Sequence, residues 1–100
     1  MLELSEIRRE IDEIDHEIAR LFVRRMEAAS AVAAAKRATG KAVTDPSREE
    51  EVLARAIAAV GPVYADAARC LFTTLMSLSR AHQRTLLAGD ASSRAGESQP

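Results

Sequence analysis

The chain has 100 residues, 47% of them hydrophobic, and a formal net charge of −1, which indicates one domain and argues against nucleic acid or an anionic membrane as a partner. Its many alanines and its few aromatic, glycine and proline residues predict an all-α fold and exclude a sheet protein. A single cysteine, a mixed-charge first segment and no apolar run long enough to span a bilayer predict a cytoplasmic protein without an internal disulfide or a secretory signal.

The first predicted helix begins near Leu4 or Ser5 and ends near Thr39, because residues 1–38 contain no proline or glycine and Gly40 is a typical C-terminal cap. Apolar residues recur along it at steps of three and four, as in an amphipathic helix. The helix is roughly 50 Å long, whereas a compact domain of this size is only about 26–35 Å across. We therefore expect another chain to cover much of it.

Two cations interrupt the apolar stripe of this helix. Arg25 takes a position where the pattern expects leucine, and Lys36 follows eleven residues later, only about 20° away around the helix. Buried cations require anionic partners or a bound anion. The stripe also fits a coiled-coil seam in which Arg25 would only fix the register. The first helix alone leaves both interpretations open.

The second and third predicted helices are shorter. Asp45 and Pro46 are typical of a helix start, and the second helix runs from Pro46 to about Ala59, before Gly61-Pro62. The third helix runs from about Tyr64 to Leu87. The inward residues predicted on it are Ala68, Leu71, Phe72, Leu75, Met76 and Leu86. Residues 88–100 are small and polar and are predicted to be a disordered tail, so that the helical domain spans residues 1–87.

Two pairs of polar residues lie near the expected core, and the two members of each pair are one helical turn apart. Ser79 and Gln83 continue the inward line of the third helix, and Asp45 and Glu49 share a face at the start of the second. Each pair also has an ordinary explanation. Ser79 and Gln83 fit the polar edge of a stripe, while Asp45 and Glu49 fit a helix cap and the helix dipole.

The inward polar set contains no nucleophile paired with a base, and the chain has no cluster with metal-ligand spacing. We interpret His16 and His82 as ordinary surface or edge residues, Cys70 as a small core residue and Arg48 as a solvated surface residue. The set suits a small polar anion. If it is catalytic, we expect it to act by positioning and electrostatic stabilisation, without a metal or cofactor.

Five segments of the chain resemble the AroQ-type, all-helical chorismate mutases. They are residues 7–12, 24–26, 35–36, 43–49 and 79–83. The resemblance covers residues 4–87, although the link at 60–63 is shorter than is typical for the family. It implies the Claisen rearrangement of chorismate to prephenate, a step of phenylalanine and tyrosine biosynthesis that needs no cofactor. It also implies an intertwined homodimer whose long first helices each serve two active sites.

The resemblance implies that two arginines bind the substrate carboxylates, Arg25 from one chain and Arg8 from the partner chain. Independently, Arg8 and Arg25 lie about 25 Å apart along the helix and roughly 100° apart around it, so they cannot hold one small ligand within a single chain. A site shared between two chains removes this conflict.

The remaining roles also follow from the resemblance. Lys36 and Gln83 would donate hydrogen bonds to the ether oxygen, where negative charge grows as the C–O bond breaks. Glu49 would accept a hydrogen bond from the ring hydroxyl. Ser79 and Asp45 would complete the polar lining.

Three other functions compete with this one: an isochorismate-pyruvate lyase, an aminodeoxychorismate mutase and a non-catalytic helical dimer. Glu49 argues against the lyase, because lyase relatives tend to lack an acid there, but a carboxylate accepts equally from a hydroxyl or an ammonium group. Lys36 and Gln83 argue against a non-catalytic dimer, which need not keep them. The sequence leaves room for a partner enzyme of aromatic biosynthesis.

Overall fold

In a computed structural model of the chain, residues 3–97 are described, and side chains are described for residues 3–89. The helices are α1 (Leu4–Thr39), α2 (Pro46–Val60) and α3 (Ala65–Glu97), with a 3₁₀ turn at Pro62–Tyr64 between the last two. The described residues contain no strand, which confirms the predicted all-α fold. No helix within this described part is both long and apolar enough to cross a membrane.

Local signals set the ends of the first two helices as predicted. Gly40 closes α1 with a φ of 73°, a left-handed conformation that glycine adopts without strain, and its N–H group donates to the carbonyl of Lys36. Asp45 caps α2 because its side chain accepts a hydrogen bond from the backbone N–H of Arg48 at 3.1 Å. These caps fix the loop at residues 40–45 between two rigid helices.

Helix α3 continues to Glu97, past the end predicted at Leu87. The predicted end is wrong because the segment contains several alanines and no proline before Pro100, so nothing in it forces the helix to stop. The domain boundary at residue 87 and the disorder of the tail stay predictions. Residues 98–100 of that tail lie outside the described residues.

Helix α3 packs against both α1 and α2, while the described parts of α1 and α2 do not pack on each other. The buried apolar residues are few and mostly small: Ala29, Ala33, Ala56, Ala68 and Met76. Small side chains let the helix backbones approach closely where they meet.

One residue predicted to face inward on α3 does not. Leu71 is 56% exposed, and Cys70, interpreted as a core residue, is exposed as well. Leu71 points about 60° to one side of Ala68, whereas Met76 lies on the other side and is buried against the neighbouring helices. The buried face of α3 within this chain is therefore narrower than the apolar pattern predicts.

The first part of α1, residues 4–24, projects from the rest of the chain, and we call it the N-terminal arm. Every residue in it is exposed. Its large apolar residues are between 37% and 60% exposed: Leu4, Ile7, Ile11, Ile14, Ile18, Leu21, Phe22 and Val23. The radius of gyration is 18.3 Å, well above the ~13 Å of a compact domain of this length. The apolar stripe of the arm has no cover from the described residues of its own chain.

Candidate active site

A cavity of about 280 Å³ lies between the second half of α1, the start of α2 and the middle of α3. Its polar lining comprises Arg25, Lys36, Asp45, Arg48, Glu49, Ser79, Arg80 and Gln83. Its apolar lining comprises Ala28, Ala29, Val32, Val43, Val52 and Met76. Each helix contributes polar side chains, so the cavity exists only when all three are packed together.

The sequence predicts a role in the site for seven residues, and six of them line this one cavity: Arg25, Lys36, Asp45, Glu49, Ser79 and Gln83. The exception is Arg8, which is exposed on the N-terminal arm, about 25 Å from Arg25 along α1. The structure therefore brings together the residues predicted to act from one chain. The roles of all seven residues stay predictions.

The charge of the cavity is positive, although the whole chain carries a net charge of −1. Four cationic side chains and two carboxylates line it, a formal excess of two positive charges. The alanine, valine and methionine side chains beside them lower the local dielectric, which strengthens electrostatic attraction inside the cavity. This excess of positive charge favours the binding of an anion.

Arg25 and Lys36 are both held by main-chain carbonyls. Nη1 of Arg25 donates to the carbonyl of Leu75 at 3.4 Å, and Nζ of Lys36 donates to the carbonyl of Val43 at 2.5 Å. A carbonyl oxygen orients a cation without neutralising its charge. Both cations are therefore positioned at the cavity with their positive charge available to an anion.

Gln83 is the buried polar residue of the cavity, with 5% of its surface exposed. Its Nε2 donates to Oγ of Ser79 at 3.1 Å, and its Oε1 is buried without a hydrogen-bond partner. An unpaired buried acceptor costs about 1–3 kcal/mol. A 180° rotation of the amide group lets the Ser79 hydroxyl donate to Oε1 and places the two N–H donors at the position that Oε1 occupies in the structure.

Two further arginines, Arg48 and Arg80, line the cavity, although the sequence analysis did not place them there. Arg48, interpreted as a solvated surface residue, is an exposed residue that contributes to the cavity lining while pairing with Glu51 at 3.2 Å. Its position three residues after Asp45, on the same side of α2, was a usable signal. Arg80 gave no such signal, because its partner Glu49 is 31 residues away and on another helix.

The histidine on α3 has a structural role outside the cavity lining. Nε2 of His82 lies 2.8 Å from Oγ of Ser30, and that hydroxyl donates its proton to the carbonyl of Met26. The hydrogen bond between His82 and Ser30 ties α3 to α1. Among the residues that the structure describes, no three His, Cys, Asp or Glu side chains could together hold a metal ion.

The fold and the cavity define a class: an all-helical protein with a cationic cavity and without a nucleophile–base pair among the residues that line it. A family model described as chorismate mutase type II matches residues 7–84. The chain therefore belongs to the type II chorismate mutase family.

A curated relative is similar to the chain. An intracellular chorismate mutase of Mycolicibacterium smegmatis is 39% identical over 69 residues, which cover 69% of this chain. The match spans 66% of the relative's length. No solved structure matches the chain significantly.

Proposed function

We propose that the chain catalyses the rearrangement of chorismate to prephenate. Family membership supports this activity, and one structural observation carries it to this chain. Six polar residues from three helices, matching the family in type and order, line one cavity with a formal excess of two positive charges. Such a cavity suits a dicarboxylate and its more polarised transition state.

In the proposed reaction one C–O bond breaks and one C–C bond forms within the same molecule, and no proton is transferred. The protein therefore needs no general acid, base or nucleophile. Arg25 would bind a carboxylate through its bidentate fork, and Arg48 is one of the three other cations that line the cavity. Holding the substrate in its compact conformer would lower the entropic part of the barrier.

Lys36 and Gln83 would stabilise the negative charge that grows on the ether oxygen. Lys36 is an ammonium group fixed by the Val43 carbonyl, and Gln83 is a buried amide whose charge does not change with pH. Glu49 would accept a hydrogen bond from the ring hydroxyl, while Ser79 orients the Gln83 amide. Fixed donors aimed at a developing charge favour the transition state over the bound substrate.

The proposed enzyme is a homodimer in which each arm completes the partner's site. The exposed apolar stripe of the N-terminal arm supports this, because apolar faces of this size are usually covered by another chain. Arg8 lies on that arm, remote from the cavity of its own chain, and would supply the second carboxylate-binding arginine in trans. The proposal also places the enzyme in the cytoplasm, in keeping with a relative named as intracellular. A partner enzyme of aromatic biosynthesis stays a prediction.

The test is a direct assay of the purified chain. Loss of chorismate and appearance of prephenate would be followed together, with the uncatalysed reaction as the baseline. Isochorismate would be supplied in parallel, and pyruvate release would be measured. Conversion of chorismate at the uncatalysed rate would contradict the proposal, and pyruvate release from isochorismate alone would favour the lyase.

A further inference from the structure

An ion pair inside the cavity lining joins α2 to α3. Nη1 of Arg80 donates to Oε1 of Glu49 at 2.5 Å, and the two side chains are only 25% and 27% exposed. The arginine that α2 contributes to the cavity differs, since the side chain of Arg48 is 55% exposed and pairs with Glu51 on its own helix. The Arg80–Glu49 pair is the more sheltered of the two, and its geometry depends on how the helices pack.

The pair leaves one carboxylate oxygen of Glu49 for a ligand. The other carboxylate of the cavity, Asp45, accepts the N-cap hydrogen bond from the backbone of Arg48. Arg80 engages Oε1 of Glu49, and the hydrogen bonds described for this carboxylate do not involve Oε2. Asp45 is exposed, whereas Glu49 is half-buried in the cavity lining, so Glu49 is the carboxylate better placed to accept a hydrogen bond from an enclosed ligand, with Arg80 fixing its orientation.

We propose that Arg80 is a positioning residue that makes Glu49 select a ring hydroxyl over a ring ammonium group. This inference rests on the proposed function and deepens it by naming the substituent that the site prefers. An isolated carboxylate attracts an ammonium group more strongly than a neutral hydroxyl. Paired with Arg80, the carboxylate keeps its acceptor oxygen while its charge is offset by a cation that repels an ammonium group.

The experiment compares chorismate with its amino analogue, in which an ammonium group replaces the ring hydroxyl. The measured quantity is the ratio of kcat/KM for the two substrates. Arg80→Gln removes the offsetting charge and keeps a hydrogen-bond donor, so the ratio should shift roughly 100-fold toward the amino analogue, the effect of one unit charge about 6 Å away near a protein surface. Glu49→Gln leaves Arg80 unpaired, so the ratio should shift the opposite way.

Two control variants separate charge from structure. Arg80→Lys retains the cation and should keep the unsubstituted ratio to within about threefold. Arg69→Gln removes an exposed arginine of the same helix, remote from the cavity lining, and should leave the ratio unchanged. Far-UV circular dichroism of each variant would show that the helices are retained.

The outcomes separate this inference from the proposed function. An enzyme that turns over chorismate but shows the same ratio in Arg80→Gln would overturn the inference alone. Equal losses for both substrates would also overturn it, because they would indicate a purely structural role for Arg80. The same ratio shift in Arg80→Lys as in Arg80→Gln would show that charge is not the cause. No turnover of either substrate by the unsubstituted chain would instead contradict the proposed function.

Discussion

The two halves of α1 share one continuous helix and one apolar period, yet they have different surroundings. In the N-terminal arm every side chain is exposed, including Ile11 and Ile18. In the second half Ala29 and Ala33 are buried against α3, and Arg25 and Lys36 are half-buried at the cavity. The same periodicity therefore marks the face to be covered without stating which chain covers it.

Side-chain size distinguishes the two halves as well. The stripe of the arm consists of isoleucine and leucine, whereas the stripe facing α3 is mostly alanine. Small residues suit the close approach of helices within one chain, and large branched residues bury more area when a second chain docks. Under the proposed function, the first half of α1 would associate with a second chain and the second half would form the site.

The largest effect is expected from Lys36, a cation that the second half of α1 contributes to the cavity. Lys36→Ala should lower kcat by about 10²–10³-fold, because it removes a donor aimed at the developing charge. Gln83→Ala should act in the same direction without affecting the loop contact of Lys36. Chorismate consumption is the measurement, and Lys41→Ala, an exposed neighbour outside the cavity lining, is the matched control. Normal activity in both variants would remove these residues from the site.

The arm can be tested by placing a charge on its stripe. Ile14→Glu should weaken association of two chains by about 3–5 kcal/mol, since it would bury an unpaired carboxylate. Sedimentation velocity would report a monomer, and activity should fall because Arg8 of the partner subunit would be lost from each site. His16→Glu places the same charge on the opposite side of the arm and should leave the dimer intact. A dimer that survives Ile14→Glu with full activity would contradict the proposed role of the arm.

Mixing variants of the two halves tests whether they serve one site. Arg8→Ala and Arg25→Ala should each be nearly inactive alone. After chain exchange at equal amounts, about a quarter of the unsubstituted activity should return, because half of the dimers are mixed and each holds one intact site of two. Mass spectrometry of differently labelled chains would establish the exchange. Exchange without any recovery would argue against a shared site.

The smallest effect concerns the cap beside the cavity. Asp45→Ala should destabilise the fold by about 1 kcal/mol, a fall in Tm of roughly 4–8 °C. Asp45→Asn should restore the stability, because asparagine caps equally well. If the asparagine variant is stable but less active, the carboxylate also acts on the ligand. Equal stability of all three proteins would show that the cap contributes little.

Much of the fold could be predicted because its signals are local. Gly40 and the Asp45-Pro46 pair set helix ends through nearby backbone groups, and helical periodicity placed Arg25 and Lys36 on the inward face. The end of α3 was missed because no local residue enforces a stop. The pairing of Arg80 with Glu49 could not be predicted because it is a long-range contact. It joins two helices whose relative placement is defined only in the folded chain.

The hydrogen bond from Lys36 to the Val43 carbonyl has a further consequence for ligand affinity. A lysine side chain is flexible, and immobilising it costs up to about 2 kcal/mol in conformational entropy. Because the loop already fixes this ammonium group, that cost is incurred during folding and not when the ligand binds. An ammonium group has three donors, so Lys36 can keep its loop partner and still direct two protons into the cavity. The loop thereby preorganises the site before any ligand arrives.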